Sequence, residues 1–327
     1  MANLETSFIG MKLKSPVIVG SSGLTDSVEK IKKIEKFGAG AVILKSLFEE
    51  QIEFESGKIL AKGNSEYPEA EDYVRNYVKN NSISDYLKLI EGAKKEVKIP
   101  VIASINCVTG EDWTGFATKI QNAGADALEL NINIVPVDQN NPSMHYENIY
   151  YKIFEKVKAK TTLPIIIKMG YNFTNILYLI NQLQYRGLKA VTLFNKFYEP
   201  DINIREMKLI SSEIFSCPAD IRLVLRWIGL VSDKVNDIQI SGSTGVHSGE
   251  AAIKMILAGA STLQVCSSLY KNGLEFLSKI NSEISDWMDQ YNFKKMSDFS
   301  GLLNYSKIDN PLTYERSQFM KYFSSVH

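Results

Sequence analysis

Four stretches of this chain repeat one another around a glycine: FGAGAVILK at 37–45, NAGADALELN at 122–131, YRGLKAVTLFN at 185–195 and LAGASTLQVC at 257–266. In each, a helical pattern ends, glycine follows, and a short apolar run begins. Gly38, Gly124, Gly187 and Gly259 thus fall where a helix C-terminus needs a left-handed residue, with a strand directly after. A second apolar type alternates with these: SPVIVGSSG (15–23), IPVIASIN (99–106), LPIIIKMG (163–170) and DIQISGS (237–243). Pro16, Pro100 and Pro164 stand at strand starts, where a missing N–H costs least.

Helical spacing fills 27–38, 84–97, 111–124, 146–160, 174–187 and 249–259, with Ser27 and Ser84 as N-caps. Eight continuous apolar strands joined by helices imply parallel pairing buried on both faces, and eight such units close into a (β/α)8 TIM barrel. The rival is a doubly wound open sheet, but the early SSGLTD turn is not G-x-G-x-x-G. The eightfold unit takes ~250 residues. The 327 residues here are read as one domain whose surplus lies in three places: a lid-like insertion at 47–82, a second at 197–236, and a C-terminal extension at 270–327.

Composition narrows the class. The 37 basic residues balance the 37 acidic ones, which argues against nonspecific binding to nucleic acid or an acidic membrane. Three cysteines far apart, Cys107, Cys217 and Cys266, form neither a disulfide framework nor a C-x-x-C cluster for a metal or iron-sulfur group. Cys107 and Cys266 read as small buried apolar groups, and Cys217 as a loop thiol. No apolar run reaches the ~18 residues that span a bilayer, and Met1 to Pro16 lacks the unbroken apolar stretch expected of a signal peptide. A cytoplasmic protein acting on a small molecule is the expectation.

Active sites of eightfold barrels lie at the C-terminal strand ends, so register nominates residues. They are Ser21, Ser22 and Gly23; Lys45 and Ser46; Asn106; Asn131 and Asn133; Lys168; Asn195 and Lys196; Ser241 to Gly245; and Cys266 to Ser268. Burying such groups unpaired is costly, so a ligand rich in acceptors would account for them. In SGSTGVHSGEAA (241–252), small residues run into a helix start after the seventh strand, and CSS ends the eighth. Together these form the usual phosphate position of the architecture. His247 reads as a loop or capping residue, and Tyr146, Tyr150, Tyr151 and Phe154 as core or interface.

ETSFIGMKLKSPVIVGSSG, VILKS, PVIASIN, ALELN, PIIIKM, LFN and STGVHSGEAAIKMILAGASTLQVCSSL, in that order over roughly residues 5–270, resemble the dihydroorotate dehydrogenases. The resemblance implies an N-terminal hairpin under the barrel and bound FMN. Ser21, Ser22, Gly23, Lys45, Ser46, Asn106 and Asn131 would hold it, with Lys168 at the N1/O2 edge and Thr244, Gly245, Ser267 and Ser268 on its phosphate. It implies hydride transfer from a dihydropyrimidine such as dihydroorotate to flavin N5, with Lys45, Asn131 and Asn195 as catalytic residues, and a homodimer, for which helix 146–160 offers a surface. The family's base is a Cys or Ser in N-x-S-C/S-P-N. Here Asn131-Ile132-Asn133-Ile134-Val135-Pro136 puts Ile134 or Val135 in its place, leaving Asp138 and His145 as candidates for a displaced base. The family's N-S-M-G loop is replaced by NSEYPEAEDYVRNY (64–77), and Lys196 follows Asn195 in place of Thr or Ser.

Two further readings stay open. One is a flavin-binding relative with another substrate or no turnover, motivated by Ile134 and Val135. The other is a phosphosugar-processing barrel with Lys168 as a Schiff-base amine. The lid would exclude water from the reduced flavin, and its acids Glu49, Glu50 and Glu53 read as a solvated helical face.

Overall fold

A computed structural model describes residues 2–48, 68–106 and 114–316. Cys107, the acids Glu49, Glu50 and Glu53, and most of the expected lid lie outside the described residues. A short antiparallel hairpin opens the chain, β1 (Thr6–Phe8) and β2 (Met11–Leu13). Eight strands then close a parallel ring: β3 (Val17–Val19), β4 (Ala41–Ile43), β6 (Val101–Asn106), β7 (Ala127–Asn131), β8 (Ile165–Met169), β9 (Ala190–Leu193), β12 (Gln239–Ser243) and β13 (Thr262–Val265). Each pairs with the next, and β13 returns to β3. β5 (Leu47–Phe48) continues the β4 edge along β6. This is the (β/α)8 barrel expected from the glycine repeat, and Gly38, Gly124, Gly187 and Gly259 take φ of 94°, 92°, 100° and 118°.

Helices α1 (Val28–Lys36), α2 (Pro68–Glu96), α3 (Thr114–Asn122), α4 (Ser143–Lys158), α5 (Ile176–Tyr185), α6 (Ile221–Lys234) and α7 (Gly249–Ala258) cover the ring. Their apolar faces meet the outward strand residues in one large core. A separate cluster fills the lower barrel, where Ile18, Ala41, Ile43, Ile102, Ala127, Ile166 and Ala190 meet Phe8 and Leu13 of the hairpin. The hairpin thus plugs the bottom and leaves the ligand end at the top.

Three expectations need correction. Ser84 is no N-cap, because α2 begins sixteen residues earlier at Pro68 and runs through it. Ser27 stands at the start of α1, but its side chain caps nothing; the capping side chains are Asn175 and Ser248, which accept from Tyr178 N and Ala251 N. Of the aromatics on α4 read as core or interface, Tyr150, Tyr151 and Phe154 are core and only Tyr146 is left half-buried, so these three do not supply the docking surface. The 197–236 insertion forms a projecting hairpin, β10 (Pro200–Asn203) and β11 (Lys208–Ser211), a return segment 212–217, and α6. After β13 come α8 (Ser267–Asn272) and α9 (Phe276–Gln290), so the C-terminal extension is helical. Among the described residues no helix is long and apolar enough to cross a membrane.

Candidate active site at the barrel mouth

A cavity of about 440 Å³ opens at the C-terminal ends of β3, β8, β9, β12 and β13. That size suits a small-molecule or cofactor site. Of the nominated residues, Ser21, Ser22, Lys168, Asn195, Lys196, Ser243, Thr244, Gly245, Cys266 and Ser267 line it, together with Gln264, which was not nominated. Lys45 and Ser46, in the link after β4, and Asn106 and Asn131, at the ends of β6 and β7, lie outside its walls. Asn131 sits opposite both Asn106 and Lys168 in the sheet, so strand register brings these three together at one level. Lys45 is exposed at the rim. Gly23 is covered by the Tyr270 hydroxyl, which a methyl at Gly23 would meet at 2.9 Å.

Ser46 works behind the wall. Its backbone N–H donates to Ser21 Oγ (2.8 Å), and its hydroxyl lies 3.0 Å from Ser21 Oγ and 2.6 Å from Ser104 Oγ. The cavity-lining serine is therefore fixed from two directions.

Lys168 is buried, with 9% of its surface exposed, and has no carboxylate within ion-pair distance among the described residues. A buried cation without a counter-charge is costly in a finished core. Among the described residues, Gln264 Oε1 in the cavity wall and Asn131 Oδ1, Asn133 Oδ1 and Ser268 Oγ at the adjoining strand ends are likewise buried without a hydrogen-bond partner. The barrel mouth as a whole, cavity and adjoining strand ends together, is thus short of partners for a cation, three amide carbonyls and a hydroxyl. An anionic, hydroxyl-bearing and N–H-bearing ligand has the complementary groups, and a flavin nucleotide is one.

On the β12–β13 side, Thr244 and Gly245 both take positive φ (78° and 86°), and Thr244 Oγ1 donates to the Phe194 carbonyl (3.0 Å). A side chain at Gly245 would collide with the Ile221 backbone, so glycine lets α6 close against the loop. The Thr244 hydroxyl is spent on Phe194, whereas Ser267 Oγ accepts from Ser216 N (3.1 Å) and keeps its own proton, so Ser267 and the unpartnered Ser268 Oγ are the hydroxyl donors left among the four phosphate nominees.

The return segment was not foreseen. Ile214, Phe215 and Ser216 lie across the cavity as a strap, held by Phe215 stacking on Tyr270 (5.3 Å), by Ser216 Oγ against His247 Nε2 (3.0 Å) and by Lys271 Nζ donating to the Ser216 carbonyl (3.1 Å). No motif announces it, since it lies some twenty residues from either strand end. Cys266 is half-buried and lines the cavity, so it is no mere core filler. Burial pushes its thiol above the usual range, against the opposing pull of the Ser22 hydrogen bond and the Lys168 charge.

On the β7 side, Val135 is 61% exposed and Ile134 is half-buried. Asp138 accepts from Asn140 N, Asn140 Nδ2 and Asn141 Nδ2 in its own turn, and His145 lies edge-on to Tyr146. Neither lines the main cavity, so neither is a displaced base there. Lys196 lies at its edge, 2.7 Å from Glu199, and also lines a neighbouring cavity of about 280 Å³. Burial disfavours its charge, but the hydrogen bond and charge of Glu199 outweigh this and hold its pKa above the ordinary lysine value.

The family model described as Dihydroorotate dehydrogenase matches residues 3–288. Curated relatives include the "Dihydroorotate dehydrogenase B (NAD(+)), catalytic subunit" of Thermoplasma volcanium, 26% identical over 309 residues that cover 92% of this chain and 99% of that one. The proteins of the same name from Methanocaldococcus jannaschii and Methanocella arvoryzae are 26% and 28% identical, covering 88% and 87% of this chain and 94% and 93% of theirs. The chain belongs to the dihydroorotate dehydrogenase family.

Proposed function

We propose that this chain is an FMN-dependent dehydrogenase acting on the CH–CH bond of a small anionic substrate of the dihydropyrimidine type. The observation that carries the reading is the buried Lys168, without a carboxylate partner among the described residues, sharing one cavity with the unpartnered Gln264 carbonyl, while Asn131, Asn133 and Ser268 leave further unpartnered oxygens at the adjoining strand ends. When bound, FMN supplies a two-electron acceptor for a hydride.

The chain's own groups supply the rest. Lys168 places positive charge where the reduced ring would accumulate negative charge. Ser21 and Ser22 line the ring side, while Ser268 with the backbone at Gly245 and Ser267 takes the phosphate. Asn195 would face the substrate from the cavity wall, and Lys45 and Asn131 would reach it from the adjoining strand ends. The strap excludes water from the phosphate end.

Proton abstraction sets the limit on the substrate. Ile134 and Val135 accept no proton, and Lys196, held charged by Glu199, serves as a cation for an anionic substrate and not as a base. This favours a substrate other than dihydroorotate within the same reaction class, with a non-catalytic flavoprotein as the second reading. Because the matched relatives are named as catalytic subunits, we also read electron exchange with a partner subunit into the proposal.

The test is spectroscopic. Protein supplied with FMN and freed of excess should retain flavin absorbance, and its absence overturns the reading. Anaerobic mixing with dihydroorotate should leave the flavin oxidised, whereas bleaching would establish dihydroorotate as the substrate.

A further inference from the structure

Beneath the cavity, Glu129 of β7, Thr192 of β9 and Gln264 of β13 form a closed triangle on alternate strands of the barrel. Thr192 Oγ1 donates to Glu129 Oε2 (2.9 Å), and Gln264 Nε2 lies 2.8 Å from Glu129 Oε2 and 3.0 Å from Thr192 Oγ1. Glu129 and Thr192 are fully buried, and Gln264 is 4% exposed. Nothing in the fold requires this. The layer beneath is alanine and isoleucine, and an apolar trio would fill the same space without desolvating a carboxyl group.

The triangle decides which end of an amide faces the ligand. Glu129 Oε2 takes two donors and is an acceptor in either protonation state. Thr192 has spent its proton on Glu129 and presents only lone pairs to Gln264. Turning the Gln264 amide over would set its carbonyl against two acceptors, so Nε2 is held down and Oε1 held up. Gln264 Oε1 is buried and unpartnered; it lies beside Gly20, where an added Cβ would approach it to 3.4 Å, and both residues line the cavity.

We infer that Gln264 is a cofactor-binding residue whose carbonyl accepts a hydrogen bond from an O–H or N–H donor of the flavin nucleotide, and that Glu129 is the positioning residue that fixes this orientation. The inference rests on the flavin reading above. It adds two side chains to the site, one lining the cavity floor and one that never reaches it.

Equilibrium binding to the apoprotein tests it, using FMN, an FMN methylated at the ring imide nitrogen, and FMN analogues lacking single ribityl hydroxyls. Wild type should bind one of these analogues about tenfold more weakly than FMN, the equilibrium worth of one hydrogen bond. The analogue affected identifies the donor as imide or hydroxyl. Gln264→Met should bind FMN about tenfold more weakly and lose the discrimination. Glu129→Gln offers an N–H as readily as a carbonyl, so it should lose the discrimination with Gln264 intact. Thr192→Val carries the same expectation should Glu129→Gln fail to fold, and apoprotein melting temperatures separate folding from binding. Wild-type indifference to every analogue, or variants that discriminate as wild type does, overturns the inference alone. Failure of wild type to bind FMN overturns both it and the proposed function.

Discussion

Tyr86 and Ser104 exchange two hydrogen bonds: the phenol donates to the Ser104 carbonyl (3.0 Å) and accepts from the Ser104 N–H (2.7 Å). The contact lies where the barrel edge breaks between β4 and β5, and a helix side chain there satisfies strand groups that no neighbouring strand reaches. Ser104 Oγ then passes the constraint to Ser46 and on to Ser21 at the cavity wall.

Tyr86→Phe should therefore destabilise the fold by about 1–3 kcal/mol, the cost of stranding buried backbone groups. It should also change the alkaline limb of stability. Burial raises the Tyr86 phenol above its usual range, so the folded state keeps the proton that the unfolded chain releases near the ordinary tyrosine value of 10.0. Stability is thus fully present below pH 10 and falls as pH rises beyond it, by up to about 1.4 kcal/mol per pH unit for each such phenol. Denaturant titrations from pH 8 to 11 should show a shallower decline in Tyr86→Phe. An identical slope would remove the assignment.

Gly245→Ala should fail at two levels. The residue takes φ of 86°, and a methyl group would strike the Ile221 backbone at the start of α6. We expect a loss of more than about 2 kcal/mol in thermal unfolding, with a weakened phosphate end. Gly115, where a Cβ meets nothing within 4 Å, is the internal control and should tolerate alanine.

Lys168→Met separates cofactor binding from folding. Removing a buried cation that has no counter-charge among the described residues should leave the apoprotein's melting temperature unchanged or raised. FMN affinity should fall by tenfold or more, about 1.4 kcal/mol, and the flavin midpoint potential should become more negative as the reduced form loses its nearby positive charge. Unchanged affinity and potential together would place the flavin elsewhere.

The ring of strands was legible because a left-handed residue between helix and strand leaves a glycine at a fixed offset, four times over. The Lys168–Asn131–Asn106 neighbourhood followed from strand register alone. What escaped depends on side chains meeting across the barrel. Glu129 and Gln264 are polar residues inside ALELN and TLQVC, and strict alternation would have turned both inward, but only coordinates bring residues 135 positions apart into contact. The start of α2 was misplaced because Ser84 resembles a cap while standing inside a long helix. The strap was missed because Ile214, Phe215 and Ser216 carry no periodicity and act only by reaching His247, Tyr270 and Lys271.

That strap carries the last prediction. His247 meets Ser216 Oγ at 3.0 Å, and partial burial, followed by the charge of Lys271, lowers its pKa below the ordinary histidine value of 6.5. The folded state therefore prefers neutral imidazole while the unfolded chain takes a proton near pH 6.5. The stabilisation is present above pH 6.5 and drains away as pH falls through the folded-state value. Melting temperature should decline from pH 7 to pH 5, and His247→Gln should flatten part of that decline. Lys271→Met should narrow the window from below, because removing the neighbouring cation raises the folded-state pKa toward the unfolded one. If both variants follow the wild-type profile, His247 does not govern the strap.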